Sequence, residues 1–235
     1  MRVMLLGATG LVGSRVLPRL LADARCRGVV APTRRPLAVQ DARLLNPVLA
    51  FDALPASADW ARVDAVVCAL GTTLAQAGSL PAFQQVDHAF PLAFARLARA
   101  QGASVYVLNS AAGAKATSPF FYNRVKGQLE DDLRALGFAS LTLVRPGLIG
   151  GQRSERRPAE HLLQQLLGLL GPVLPRGWRL NPADTIAAAL VDAALAPVPG
   201  EHVVPARAGG VAKQARRPRS GAVMRAARRG CGCRC

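Results

Sequence analysis

The first thirteen residues constrain this chain more than any other stretch. Arg2-Val3-Met4-Leu5-Leu6 is a short apolar run, and Gly7-Ala8-Thr9-Gly10-Leu11-Val12-Gly13 follows it at once. A run that is apolar on both faces suits a strand buried in a parallel sheet covered by helices. The glycines are spaced G-x-x-G-x-x-G, between that strand and a helical stretch over Leu11–Ala24. One glycine lets the chain turn sharply out of the strand. Another lets the backbone approach a pyrophosphate, and the last lets helix and strand pack closely. The pyrophosphate then rests on unpaired amides at the positive end of the helix. Gly7, Thr9, Gly10, Leu11, Val12 and Gly13 are therefore candidate cofactor-binding residues.

The same alternation continues along the chain. Further strands are expected at Gly28–Thr33, Pro47–Phe51, Asp64–Leu70, Ser104–Leu108 and Ser140–Val144, with a weak one at Glu201–Val204. Helices are expected at Ala82–Ala100, Tyr122–Leu136, Ala159–Leu170 and Pro182–Leu195, the last with Asn181 as its N-cap and Pro182 at the first helical position. Strand and helix in strict turn predict an α/β fold: a doubly wound parallel sheet of Rossmann type, with helices on both faces. The 235 residues divide into one such domain, 1–206, with a small substrate segment at about 150–180, and an Arg-rich tail, 207–235, expected to be disordered.

Apolar residues are 51% of the chain and charged residues 19%, a globular composition. No uninterrupted apolar run is long enough to cross a membrane. The N-terminus lacks the form of a secretory signal, so a cytoplasmic protein is expected. The formal net charge is +16, but residues 207–235 carry nine Arg or Lys and no acid, which leaves +7 for residues 1–206. Of the 30 basic residues 27 are Arg, a coding bias as much as a chemical one. Nucleic acid is therefore not expected as a partner, except through the tail. That tail is either a basic arm or a segment without a specific role, including an altered reading frame. Cys26 and Cys68 have no metal-site spacing, and Cys231, Cys233 and Cys235 have no histidine nearby. His88, His161 and His202 are isolated, so no metal site is expected.

Two further sets of residues carry chemistry. The second strand ends Pro32-Thr33-Arg34-Arg35-Pro36, with no acid to bind a ribose 2′-hydroxyl. A guanidinium fork there suits a 2′-phosphate, so Arg34 and Arg35 point to NADP(H) rather than NAD. Downstream, Ser110 follows a buried strand, and Tyr122 and Lys126 share a helix face four residues apart. A free tyrosine has a pKa of about 10, and a nearby ammonium favours its phenolate. Tyr122 is the candidate acid/base. Lys126 tunes it and holds the nicotinamide ribose, and Ser110 orients a substrate carbonyl or hydroxyl.

The glycine loop, Ser110 and the Y-x-x-x-K of Tyr122–Lys126 together resemble the short-chain dehydrogenase/reductase superfamily. The strings Cys68-Ala69-Leu70-Gly71-Thr72-Thr73, Phe83-Gln84-Gln85-Val86-Asp87, Phe121-Tyr122-Asn123-Arg124-Val125-Lys126-Gly127 and Leu143-Val144-Arg145-Pro146-Gly147 resemble its atypical branch. That branch includes the Tat-interacting oxidoreductase-like proteins and bacterial nucleoside-diphosphate-sugar epimerase-like proteins. The resemblance covers residues 1–200. It implies that Leu70, Gly71 and Thr72 pass close to the cofactor and that Pro146 flanks the nicotinamide. Phe51-Asp52 falls where the branch places an acid and then an aromatic residue near adenine; here the order is reversed.

Arg153, Arg156 and Arg157 form a basic cluster that is either a substrate contact or a solvated loop. The leucine stripe over Leu162–Leu170 is a core face, an oligomer face or a lid, and Trp178 lines the pocket or packs. The leading expectation is an NADP-dependent oxidoreductase acting on a small carbonyl or alcohol. An NADP(H)-sensing binding protein and a sugar-nucleotide epimerase use the same fold and stand as alternatives.

Overall fold

The computed structural model describes residues 1–147, 149–150 and 181–205. Seven of its strands form one sheet: β1 (Arg2–Leu6), β2 (Gly28–Val30), β3 (Leu44–Leu45), β4 (Ala65–Cys68), β5 (Val105–Asn109), β6 (Ser140–Arg145) and β9 (Gly200–Pro205). Two short strands, β7 (Ile149–Gly150) and β8 (Asn181–Pro182), pair with each other. The sheet order is β3-β2-β1-β4-β5-β6-β9, and every pairing is parallel. This is the doubly wound α/β sheet that the alternating runs predict.

Side chains alternate across each strand, so each strand feeds two cores. On one face Val3, Leu5, Val67 and Val107 meet Val16 and Leu20 of α1 (Gly13–Ala22) and Ile186 and Leu190 of α6 (Ala183–Leu195). On the other, Met4, Leu6, Val66, Tyr106 and Leu108 meet Phe94 of α4 (Phe90–Ala100) and Leu129 and Leu133 of α5 (Phe121–Ala135). Burial on both faces is why β1, β4 and β5 read as continuous apolar runs.

Three expectations need correction. The strand expected at Pro47–Phe51 is replaced by β3 at Leu44–Leu45, and only a bridge between Thr33 and Val48 continues the pairing. Phe51 turns inward instead, edge-on to Phe90 at 5.7 Å and to Phe94 at 5.0 Å. The helix expected over Ala82–Ala100 is broken into α3 (Leu80–Gln84), a π-helical stretch (Gln85–Ala89) and α4; a short α2 (Leu74–Ala77) precedes them. Pro91 is the cause: it has no amide to give the Asp87 carbonyl four residues earlier, so α-helical bonding cannot run through. Finally, Pro182 and not Asn181 is the N-cap of α6, and no side chain caps it. The expected helix at Ala159–Leu170, the cluster of Arg153, Arg156 and Arg157, Trp178 and the tail from Arg207 onward lie outside the described residues.

Candidate active site

The connections leave β1 toward β2 on one side and toward β4 on the other, which opens a crevice at the carboxyl ends of β1 and β4. The glycine loop fills the rim of that crevice. Gly7 has φ +81°, and a Cβ there would lie 2.8 Å from the backbone of Ala69 and Leu70. A Cβ on Gly13 would lie 2.0 Å from the Gly7 carbonyl oxygen. Both positions are closed by the protein's own backbone. Gly10 differs. It is exposed, and its Cβ would meet only the Gly7 oxygen, at 3.3 Å. Among the described residues no side chain caps α1; the Ser14 amide bonds the Gly10 carbonyl at 2.9 Å and the Arg15 amide the Val12 carbonyl at 3.0 Å. An exposed glycine at the positive end of a helix fits a pyrophosphate.

Arg34 and Arg35 follow β2 and are exposed. Their loop is braced from below. Asn46 donates to the Ala31 carbonyl at 2.6 Å and to Thr33 Oγ1 at 2.8 Å, and it accepts the Leu37 amide at 2.8 Å. Thr33 Oγ1 donates to the Arg35 carbonyl at 2.6 Å. The β1–β2 register pairs Met4 with Val30, the last residue of β2.

Tyr122 and Lys126 stand on α5, one turn apart, in opposite environments. Tyr122 is exposed, its ring 5.8 Å from that of Phe83. Lys126 is buried, and its Nζ lies 2.8 Å from Oδ1 of Asp87, itself only 1% exposed. The second Asp87 oxygen accepts the Thr72 amide at 2.8 Å. Burial alone would lower the Lys126 ammonium. The carboxylate of Asp87, with the Tyr122 phenol, outweighs burial and raises it above its ordinary value. A Cβ on the exposed Gly71 would lie 3.2 Å from Asp87 Oδ1 and 3.6 Å from Lys126 Nζ. The lysine charge therefore sits directly beneath the Leu70-Gly71-Thr72 backbone.

Ser110 does not join them. Its hydroxyl donates to Glu130 Oε1 at 2.6 Å, in the buried seam between β5 and α5. Glu130 lies eight residues past Tyr122, about 12 Å along the helix axis. The same carboxylate accepts Arg145 Nε at 2.9 Å and Nη2, and Arg134 Nη2 at 3.5 Å. The bond to Glu130 also raises Arg145. In this geometry Ser110 is brought to Glu130, and its proton is given to that buried carboxylate. Pro146 is buried beside it, and its carbonyl accepts the Ala112 amide at 2.7 Å. The loop between β5 and α5 then crosses α5 so closely that a Cβ on Gly127 would lie 2.1 Å from the Lys115 backbone.

Asp87 and Glu130 are the buried acids whose partners the motifs do not reveal. Asp87 had a signal: it is an acid four residues before Pro91, where the helix must break. Glu130 had one too, four residues past Lys126 on the same face. His88, read as isolated, bonds Asp132 through Nε2 at 2.7 Å. Among the described residues no cluster of His, Cys, Asp and Glu is placed to hold a metal, and no helix is long and apolar enough to cross a membrane.

No family model matches the chain. Curated relatives do. The chain is 39% identical over 209 residues to protein fmp52, mitochondrial, of Aspergillus fumigatus, covering 85% of this chain and 89% of that protein. It is 34% identical over 177 residues to protein FMP52, mitochondrial, of Candida albicans, covering 72% and 76%. The chain belongs to the Fmp52 family. These Fmp52 proteins are fungal, where the motifs suggested bacterial kin, and they are named mitochondrial. That corrects the expectation of a cytoplasmic protein. The expectation rested on a missing secretory signal, and such an absence carries no address. Solved structures share the Fmp52 fold at low identity. MoeE5 in complex with UDP-glucose and NAD aligns with a TM-score of 0.67 and 18% identity over 90% of this chain and 78% of that one. UDP-glucose 4-epimerase of Thermotoga maritima, with UDP-glucose, aligns with a TM-score of 0.62 and 14% identity over 87% and 76%. The fold is thus shared with these solved structures, and it is the Rossmann-type α/β fold that the sequence implied.

Proposed function

We propose that this Fmp52-family chain is an oxidoreductase that uses a nicotinamide dinucleotide, NADP(H) in preference to NAD(H), on a small carbonyl or alcohol. The observation that carries this reading is the buried Lys126 ammonium at the crevice, one turn from the exposed Tyr122. The glycine loop would hold the pyrophosphate, Arg34 and Arg35 the 2′-phosphate, and Lys126 the nicotinamide ribose. The dinucleotide, when bound, supplies or accepts a hydride. Tyr122 Oη gives its proton to the substrate oxygen in reduction and takes it back in oxidation. The fixed Lys126 charge offsets the negative charge that develops on that phenol oxygen. Phe83 backs the Tyr122 ring and keeps water from one side of it.

The test has two stages. Trp60 emission follows titration with NADPH and with NADH. The reading expects NADPH to bind more tightly, and Arg34→Ala to weaken NADPH and leave NADH alone. A carbonyl screen then follows NADPH oxidation, and Tyr122→Phe should lower kcat about 100-fold or more. Full turnover by Tyr122→Phe would overturn the chemistry. The solved relatives in fold that hold NAD with a UDP-sugar favour a second reading, an epimerase-like enzyme. Tight NADH binding, indifferent to Arg34→Ala, would favour that one. NADPH binding without turnover of any carbonyl would favour the sensing protein.

A further inference from the structure

We infer that Asp87 is a positioning residue that holds Lys126 and the backbone after β4 as one unit, and so sets how tightly the nicotinamide-ribose half of the cofactor is bound. This rests on the reading of Lys126 given above. Asp87 bridges α5 and the backbone after β4. Oδ1 meets Lys126 Nζ of α5 at 2.8 Å, and Oδ2 accepts the Thr72 amide at 2.8 Å. In the π-helical stretch Gln85–Ala89, Asp87 is the one buried residue. Two observations separate it from an ordinary structural ion pair. The first is energetic. The side chains are 4% and 1% exposed, and two charges taken that far out of water gain little net stability over an apolar pair of the same volume. The second is position. The pair lies within van der Waals reach of a Cβ at Gly71, whose backbone is exposed to the crevice. A ligand on that backbone would be one atomic layer from the ammonium.

Asp87 also governs the charge. The groups that face Lys126 are Asp87 from the π-helical stretch, Tyr122 from α5 and Cys68 from β4. Only Asp87 is a carboxylate. Without it, only Tyr122 and Cys68 oppose burial, and the ammonium is held less firmly. An Asp87→Asn protein should then lose Lys126's proton as the pH rises, whereas the native protein keeps it.

The experiment titrates the full chain, native and Asp87→Asn, with NADPH and with 2′,5′-ADP, which lacks the nicotinamide ribose. We expect Asp87→Asn to weaken NADPH about tenfold or more and to leave 2′,5′-ADP unchanged. The NADPH loss should deepen between pH 7 and pH 9.5 in the variant only. Equal weakening of both ligands, or of neither, would overturn the role. Asp87→Asn leaves a buried ammonium without its partner, so folding is checked through a second comparison. Lys126→Met and Lys126→Met/Asp87→Asn should bind NADPH equally, because Asp87 acts through Lys126; a further loss in the double variant would overturn the assignment. A native protein that binds neither probe overturns the nicotinamide reading itself.

Discussion

Ser110 and Lys126 are both buried polar side chains near the crevice, yet only Lys126 faces it. The Tyr122–Lys126 pair was legible because it depends on helical spacing alone, four residues and one face. Ser110 depends on which face of β5 it takes and on what waits there. Strand β5 runs through Asn109, so alternation turns Ser110 to the α5 side, where Glu130, twenty residues on, accepts its proton. No local pattern reveals that partner. Ser110→Ala should therefore cost about 1–3 kcal/mol of stability, the value of a buried hydrogen bond to a charged group, and leave NADPH affinity unchanged. Urea denaturation and the same titration check both. A loss of affinity with no loss of stability would mean that the hydroxyl serves the ligand after all.

Among the elements, β1, β4 and β5 were legible because strands buried on both faces read as near-continuous apolar runs. The interruption before α4 was not read, although Pro91 announces it, since an apolar stripe continues across the break. Strand β3 was misplaced because its two residues make too short a run to stand out, while Val48, Leu49 and Phe51 look like a strand and serve as loop and core. Gly127 is a comparable case within α5. Alanine usually stabilises a helix relative to glycine by about 1 kcal/mol. Here the sign should reverse. A Cβ at 2.1 Å from the Lys115 backbone cannot be absorbed by a flexible side chain, so Gly127→Ala should destabilise by about 2–3 kcal/mol. Thermal denaturation reads the sign directly.

For the whole molecule, the sheet closes on β9, an edge strand with exposed Val203. Its brace is Glu201, which accepts Arg134 at 2.7 Å, while Arg134 also reaches Asp131 and the buried Glu130. The hydrogen bond from Arg134 holds the Glu201 carboxyl below its ordinary value of 4.5. A lowered carboxylate contributes stability that is present above its unfolded pKa and lost as the pH falls through the folded one. The native protein should melt at a higher temperature than Glu201→Gln at pH 7. That gap should close as the pH drops below about 4.5. Melting curves of the two proteins across that range test it, and a gap that persists at low pH would place the brace elsewhere.

The three glycines of the first loop look interchangeable in the sequence, but they answer to different masters. Gly7 and Gly13 are held to glycine by the chain's own backbone, whatever the protein binds. Gly10 has a looser hold from within, one backbone oxygen at 3.3 Å, and owes the rest to what approaches from outside. A lineage that abandoned its nucleotide while keeping the fold would be free to drift at position 10 and bound at 7 and 13, so the history of the activity is written at one of the three.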